Sequence, residues 1–163
     1  MTSATASVTV GRLPDGFLVR VQGRGTMRES PGFCRFAHDA LTNGARVVVD
    51  LSECSYLDST FLGCLVGLHK HPGAWGSRTF VVAASLPVRQ KLLGPTRLDR
   101  VLLFSDESPV ACGEVVPLTS QQLNPSEFGH HVMQCHERLA ELGGEDSAKF
   151  EQIAKQLARE LGE

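Results

Sequence analysis

The stretch VVVDLSECSYLDSTFLGCLVGL, residues 47–68, joins an apolar strand to an apolar helix through the small polar residues Asp58, Ser59 and Thr60. A continuous apolar run of strand length, such as residues 47–49, is typical of a central strand that is covered on both faces. The apolar residues after the polar triplet predict a helix, and Asp58 is expected to cap it. Aspartate favours this position because its carboxylate accepts hydrogen bonds from free N–H groups of the first turn.

Strand and helix signals alternate on both sides of this stretch. Strands are predicted at residues 6–10, 17–23, 79–85 and 100–105, and further helices at residues 31–42 and 86–93. Turn residues separate the first two strands, and this pattern predicts a β-hairpin. Strands that alternate with helices predict parallel pairing with right-handed crossovers. The expected fold class is therefore α/β, with a mixed four- to five-stranded sheet and helices mainly on one face.

The C-terminal third predicts a helical hairpin. Residues 107–123 show no clear period and are interpreted as a connecting segment between a domain at 1–106 and an extension at 124–163. Asn124, Pro125 and Glu127 form a strong helix start. Two apolar stripes follow, at Phe128, Val132, Cys135, Leu139 and Leu142, and at Phe150, Ile153, Leu157 and Leu161. These stripes need burial, either against the first domain or in a homodimer formed through the hairpin.

Composition and charge argue against several function classes. The 163 residues carry 16 Lys and Arg against 18 Asp and Glu, a formal net charge of -2. This balance gives no electrostatic reason to expect nucleic acid as a partner. No apolar run approaches the ~18 residues of a membrane span, and the N-terminus does not resemble a signal peptide. A cytoplasmic protein is expected.

The cysteines and histidines predict neither a metal site nor catalysis. The five cysteines are scattered without a C-x-x-C pair, at positions Cys34, Cys54, Cys64, Cys112 and Cys135. We expect buried free thiols in a reducing compartment rather than disulfides or zinc ligands. His130, His131 and His136 are interpreted as surface residues of the last helices. Because no nucleophile motif accompanies a histidine, no enzyme activity, cofactor or metal is expected.

Four short motifs resemble the STAS domain, the module of bacterial anti-sigma factor antagonists. They are Asp50-Leu51-Ser52, Asp58-Ser59-Thr60, Leu62-Gly63 and Leu98-Asp99, in matching order and spacing. The resemblance extends over residues 8–106, including SRTFVVAASLPVRQKLLGPTRLDRVLLF at residues 77–104. It implies a STAS-like fold and a non-enzymatic signalling module.

The resemblance also implies roles for the residues of the polar triplet. Ser59 matches the serine that a partner kinase phosphorylates in such antagonists, with Thr60 as the second choice. Asp58 matches the preceding aspartate, and Phe61 replaces the commoner glycine. All four residues are expected at the partner interface or in the helix cap, with Phe61 as a bulky ring on the surface. The implied partners are an anti-sigma factor or serine kinase and a phosphatase that reverses the modification.

Three alternatives remain open at this stage. Asp58, Ser59 and Thr60 could serve as a helix start without any modification, since capping residues are far commoner than phosphorylation sites. The domain could then be a constitutive scaffold subunit of a transporter or of a stress-sensing complex. It could also be a sensor of a small ligand or lipid, with the hairpin as a lid or dimerisation element.

Overall fold

A computed structural model describes residues 8–74, 79–118, 122–143 and 146–162. These residues form eight strands and five α-helices. The strands are β1 Val8–Leu13, β2 Gly16–Val21, β3 Gly23–Gly25, β4 Arg46–Asp50, β5 Cys54–Leu57, β6 Phe80–Ala83, β7 Phe104–Ser105 and β8 Cys112–Pro117. The helices are α1 Ser30–Thr42, α2 Ser59–His69, α3 Leu86–Leu93, α4 Pro125–Ala140 and α5 Ser147–Glu160.

Six of these strands form one mixed sheet in the order β7-β6-β4-β2-β1-β8. Strands β1 and β2 pair antiparallel as a hairpin, whereas β2, β4, β6 and β7 run parallel. The short strands β3 and β5 pair parallel in a separate two-stranded sheet. The α/β class predicted from the sequence is confirmed, with a slightly larger sheet than expected.

The extra strand is β8, which lies inside the segment that was expected to be a connection. It pairs antiparallel with β1 at the sheet edge, with a shift in register between Val10 and Arg12. All six residues of β8 are exposed. An edge strand of this kind has no apolar face, so its sequence lacks the alternation by which strands are recognised.

The helices cover one face of the sheet, as predicted. Alternate residues of β4 divide between the two faces: Val47 and Val49 lie in the main core with the helices, and Val48 joins a small apolar cluster on the opposite face. The main core includes Phe33 of α1 and Leu65 of α2, both fully buried. This alternation follows from the two-residue repeat of a strand.

The hairpin of α4 and α5 docks on its own domain, with α4 against α2. Cys135 and Leu139 of the predicted stripe are buried in the main core. Close approach of the two helices depends on Gly63, where an added Cβ would lie 2.4 Å from the carbonyl oxygen of Cys135. The centre of the apolar stripe of α4 is therefore buried within one chain. None of the helices in the described ranges has the length and apolarity needed to cross a membrane.

Candidate functional site

Asp58 caps α2 and ties its start to the segment that precedes α1. Its Oδ1 accepts a hydrogen bond from the N–H of Phe61 at 2.9 Å, and its Oδ2 accepts one from the N–H of Met27 at 2.7 Å. The backbone N–H of Asp58 donates to the carbonyl of Gly25 at 2.9 Å. One side chain therefore satisfies free N–H groups from two segments and fixes where α2 begins.

Ser59 is the first residue of α2, and its hydroxyl contacts the docked hairpin. The Ser59 Oγ lies 2.9 Å from Nε2 of His136 on α4. The other ring nitrogen of His136, Nδ1, lies 2.8 Å from the carbonyl oxygen of Val132, which can only accept a hydrogen bond. Nδ1 therefore carries a proton, and in the neutral ring Nε2 accepts the hydroxyl proton of Ser59. Ser59 is partly exposed, whereas His136 is buried.

The structure corrects the expected position of Phe61 and shows that Thr60 is buried. Phe61 is fully buried and its ring stacks on that of Phe33, with 4.7 Å between ring centroids. Thr60 is 3% exposed. Successive residues of a helix point about 100° apart, so Ser59 can face the surface while the next two residues face the core. Phe61 therefore cannot contact a partner in this conformation.

An exposed rim surrounds the start of α2. Met27 is 45% exposed and Tyr56 is 42% exposed, so both present apolar surface. The N–H of Met27 donates a hydrogen bond to Asp58, and Tyr56 precedes Asp58 by two residues. The guanidinium of Arg24 lies over the ring of Tyr56, 4.3 Å from its centroid. Exposed aromatic, methionine and arginine side chains are enriched at protein interfaces. The rim is thus chemically suited to contact another protein.

Asp50, which ends β4, also has its polar atoms satisfied. Its carboxylate accepts from Nε of Arg20 at 3.1 Å and from the N–H of Ser52 at 2.8 Å. Burial raises the pKa of Asp50, but hydrogen bonds from Ser52, Arg20 and Ser108 outweigh burial and lower it below the ordinary value. The Asp50-Leu51-Ser52 motif therefore holds the turn between β4 and β5 in place.

A second polar cluster lies one turn further along α2, between α1, α2 and α4. The Sγ atoms of Cys64 and Cys135 are 3.7 Å apart, and they lie 3.7 Å and 3.9 Å from Nε2 of His131. The same nitrogen is 2.9 Å from Oγ of Ser30, the first residue of α1. On α1, the pKa of Cys34 is lowered, chiefly through hydrogen bonding with Cys64.

The cluster perturbs the acidity of its members. The pKa of Cys135 is lowered to about 5, chiefly by a hydrogen bond with Cys64. Burial opposes this shift, and His131 adds to it. Burial raises the pKa of Cys64 well above its ordinary value. Burial by itself would lower the pKa of His131. The hydrogen bond between His131 and Cys135 outweighs burial, so the pKa of His131 is raised. A proton is thus most easily lost from Cys135, beside an imidazole that favours the positive form.

The interpretation of the histidines as surface residues is wrong for His136, which is 4% exposed. The sequence also predicted no group of metal-ligand residues, whereas the ligand atoms of Cys64, His131 and Cys135 lie within 4.8 Å of one another. One signal was available in the sequence, since His131 and Cys135 are four residues apart and share a helix face. Their contact with Cys64 depends on how α4 docks, which no local pattern encodes.

Two solved structures of anti-sigma factor antagonists are similar to this chain. One, from Mycobacterium paratuberculosis, is 20% identical with a TM-score of 0.53, and the match covers 63% of this chain and 87% of that one. The other, the antagonist SpoIIAA in its unphosphorylated form, is 14% identical with a TM-score of 0.50, covering 62% and 89%. No protein-family model matches the chain, and comparison with curated proteins finds no significant match. The chain therefore has a STAS-like fold, the fold of anti-sigma factor antagonists.

Proposed function

We propose that this protein is a signalling module that binds an anti-sigma factor or a related serine kinase, and that phosphorylation of Ser59 gates this binding. The observation that carries the proposal is the position of Ser59, a partly exposed serine at the first residue of α2 in a STAS-like fold. The partner kinase would use ATP, and this chain would be its substrate and its binding partner. Release of a sigma factor would be the output.

The charge of a phosphate explains how such a gate would work. Phosphorylation adds about -1.5 to -2 charges and three strong acceptor oxygens. The N–H groups and partial positive charge at the start of α2 favour an anion there, so the chain itself tolerates the group. A partner docked on the rim of Met27 and Tyr56 would instead meet a bulky anion in place of a hydroxyl. Desolvation and repulsion would then weaken the complex.

The hairpin adds a second control in this proposal. The hydroxyl of Ser59 donates to His136, so in the docked state its proton and one side of the oxygen face α4. A kinase needs the serine oxygen in line with the transferred phosphoryl group. We infer that α4 must shift away from the start of α2 before Ser59 reacts, so hairpin docking would set the rate of modification.

The test is to incubate the protein with ATP and a lysate of its own source, then map added phosphate by mass spectrometry. We expect one phosphate on Ser59, lost in Ser59→Ala. Ser55→Ala is the matched control, because Ser55 is an exposed serine four residues before Ser59, and it should leave the modification unchanged. Phosphate on another residue, or none at all, would contradict gating at Ser59.

A constitutive scaffold is the second candidate function. Asp58 and Ser59 both make intramolecular hydrogen bonds, and these bonds account for the polar triplet without any modification. The phosphomimetic variant Ser59→Asp separates the two functions in a pull-down from the same lysate. The gated module loses its partner in this variant, whereas a scaffold retains it.

A further inference from the structure

The cluster of Cys64, His131 and Cys135 contains donor atoms of the type that zinc prefers. Each residue offers one ligand atom, and all three atoms lie within 4.8 Å of one another. We propose that these three residues bind a zinc ion, with the thiolate of Cys34 as the fourth donor. The proposal concerns this cluster alone and does not depend on phosphorylation of Ser59.

The distances among the donor atoms fit a tetrahedral zinc site. With Zn–S of ~2.3 Å and Zn–N of ~2.0 Å, a tetrahedron requires S···S of about 3.8 Å and S···N of about 3.5 Å. The structure has 3.7 Å between the Sγ atoms of Cys64 and Cys135, and 3.7 Å and 3.9 Å from these atoms to Nε2 of His131. The three atoms thus already form one face of the required tetrahedron.

Cys34 supplies the remaining donor from the α1 side. Cys34 is on α1, the helix whose first residue, Ser30, has its hydroxyl 2.9 Å from Nε2 of His131. Its thiol is partly buried and lies outside the group of three, so its side chain must turn toward the ion to complete the set. Three thiolates and one imidazole form the Cys₃His set found in structural zinc sites.

Metal binding requires two local changes, both of which the surroundings allow. The ligating thiols lose their protons to solvent when the metal binds, and Nε2 of His131 must likewise be unprotonated to coordinate it. Nε2 of His131 must also release the hydroxyl of Ser30, now 2.9 Å away. The carbonyl oxygen of Met27 lies 3.5 Å from that hydroxyl and can accept its proton instead.

The ion would fasten the hairpin to the domain. Cys34 belongs to α1, Cys64 to α2, and His131 and Cys135 to α4. These ligands come together only when the helices are packed, so the ion binds the folded state and stabilises it. Zinc would therefore stabilise the docked position of α4, next to the contact between Ser59 and His136.

Cobalt substitution tests the site directly. The full chain is purified under reducing, metal-free conditions and titrated with Co²⁺, followed by competition with Zn²⁺. We expect one equivalent to produce the intense visible bands of tetrahedral cobalt and a thiolate charge-transfer band. Zinc should displace the cobalt and raise the melting temperature, because it binds the folded state.

Alanine variants of the cluster assign the ligands. Cys64→Ala and Cys135→Ala should abolish the bands, and Cys34→Ala should reduce the charge-transfer intensity. Cys112→Ala is the matched control, since this exposed cysteine lies outside the cluster, and it should bind cobalt like the unaltered chain. Circular dichroism establishes that each variant is folded, and native mass spectrometry of the unaltered chain with zinc gives a result that needs no variant.

Three results would overturn the proposal. One is the absence of stoichiometric metal in the unaltered chain, and another is full binding by folded Cys135→Ala. The third is a disulfide between Cys64 and Cys135 that persists under reducing conditions and excludes metal. Unchanged charge transfer in Cys34→Ala would overturn the assignment of the fourth donor.

Discussion

At the scale of single residues, two carboxylates hold the loops from which the candidate site is built. Asp58 accepts hydrogen bonds from the N–H groups of Phe61 and Met27, and so fixes the first turn of α2. Asp50 holds the turn after β4 through Ser52 and Arg20. For Asp50, these hydrogen bonds outweigh the effect of burial and lower the pKa of the carboxyl group. The contribution of Asp50 to stability should therefore depend on pH.

Asp50 provides a pH test. Its native pKa is lowered from the ordinary 3.8, so the carboxylate stabilises the fold above that pH and loses this effect as pH falls through the native pKa. Asp50→Asn should therefore reduce the free energy of unfolding most near neutral pH. The measurement is urea denaturation of both proteins from neutral pH down to about pH 3.

The difference in free energy of unfolding between the unaltered chain and Asp50→Asn should shrink as the solution becomes acidic. Asp39→Asn is a matched control, because Asp39 forms an exposed ion pair with Arg35 on α1. Exposed ion pairs contribute little to the free energy of unfolding, so Asp39→Asn should change that free energy only slightly at every pH. A difference for Asp50→Asn that stays constant or grows toward acidic pH would contradict the assigned role.

At the scale of elements, the contact between α2 and α4 decides what lies next to Ser59. Gly63 lets the helices approach closely, and an added methyl group would meet both the carbonyl and the Cβ of Cys135 at 2.4 Å and 2.5 Å. At such distances, the backbone of one helix would have to move away from the other, which costs free energy. The docking of the hairpin is thus sensitive to one position in α2.

Gly63→Ala should loosen the hairpin. Because the inserted methyl group overpacks the helix contact, we expect a loss of about 1–3 kcal/mol in the free energy of unfolding. Amide hydrogen exchange should increase in residues 125–140 and change less in β4 and β6. Gly94→Ala is the control, since no neighbouring atom lies within 4 Å of the added Cβ. Unchanged exchange in α4 of Gly63→Ala would contradict the close-packing argument.

The inner strands of the sheet and the long helices were predictable because each carries a local pattern. The apolar run of β4 and the Asn124 capping box of α4 are visible in the sequence, and the structure contains both. Strand β8 was missed because it is exposed along its whole length. The burial of Phe61 was missed because the resemblance suggested a surface position, whereas the rotation of α2 directs its ring against Phe33.

The contacts made by the hairpin could not be derived from local patterns. The sequence indicated that the stripe of α4 needed a partner surface, but it left open whether that surface belonged to the same chain. The pairing of Ser59 with His136, separated by 77 residues, follows only once α4 lies on α2. The same is true of the approach of His131 and Cys135 to Cys64.

At the scale of the whole molecule, a STAS-like domain carries a helical hairpin that packs beside the start of α2. The similarity to known antagonist structures covers 63% and 62% of this chain. In our account, the hairpin controls access to Ser59, and a zinc ion in the cysteine–histidine cluster favours the docked state. In the proposed mechanism, the domain supplies the phosphorylated residue, and the hairpin determines when that residue can react.

The measurement that tests this account most directly is the rate of Ser59 phosphorylation in the unaltered chain and in His136→Leu. Leucine removes the hydrogen bond to Ser59 while filling much of the buried space of the ring. His130→Leu, on the same helix, is the control. The account predicts faster modification of Ser59 in His136→Leu, and a rate in His130→Leu equal to that of the unaltered chain. Equal rates in all three proteins, or phosphate found elsewhere than Ser59, would contradict it.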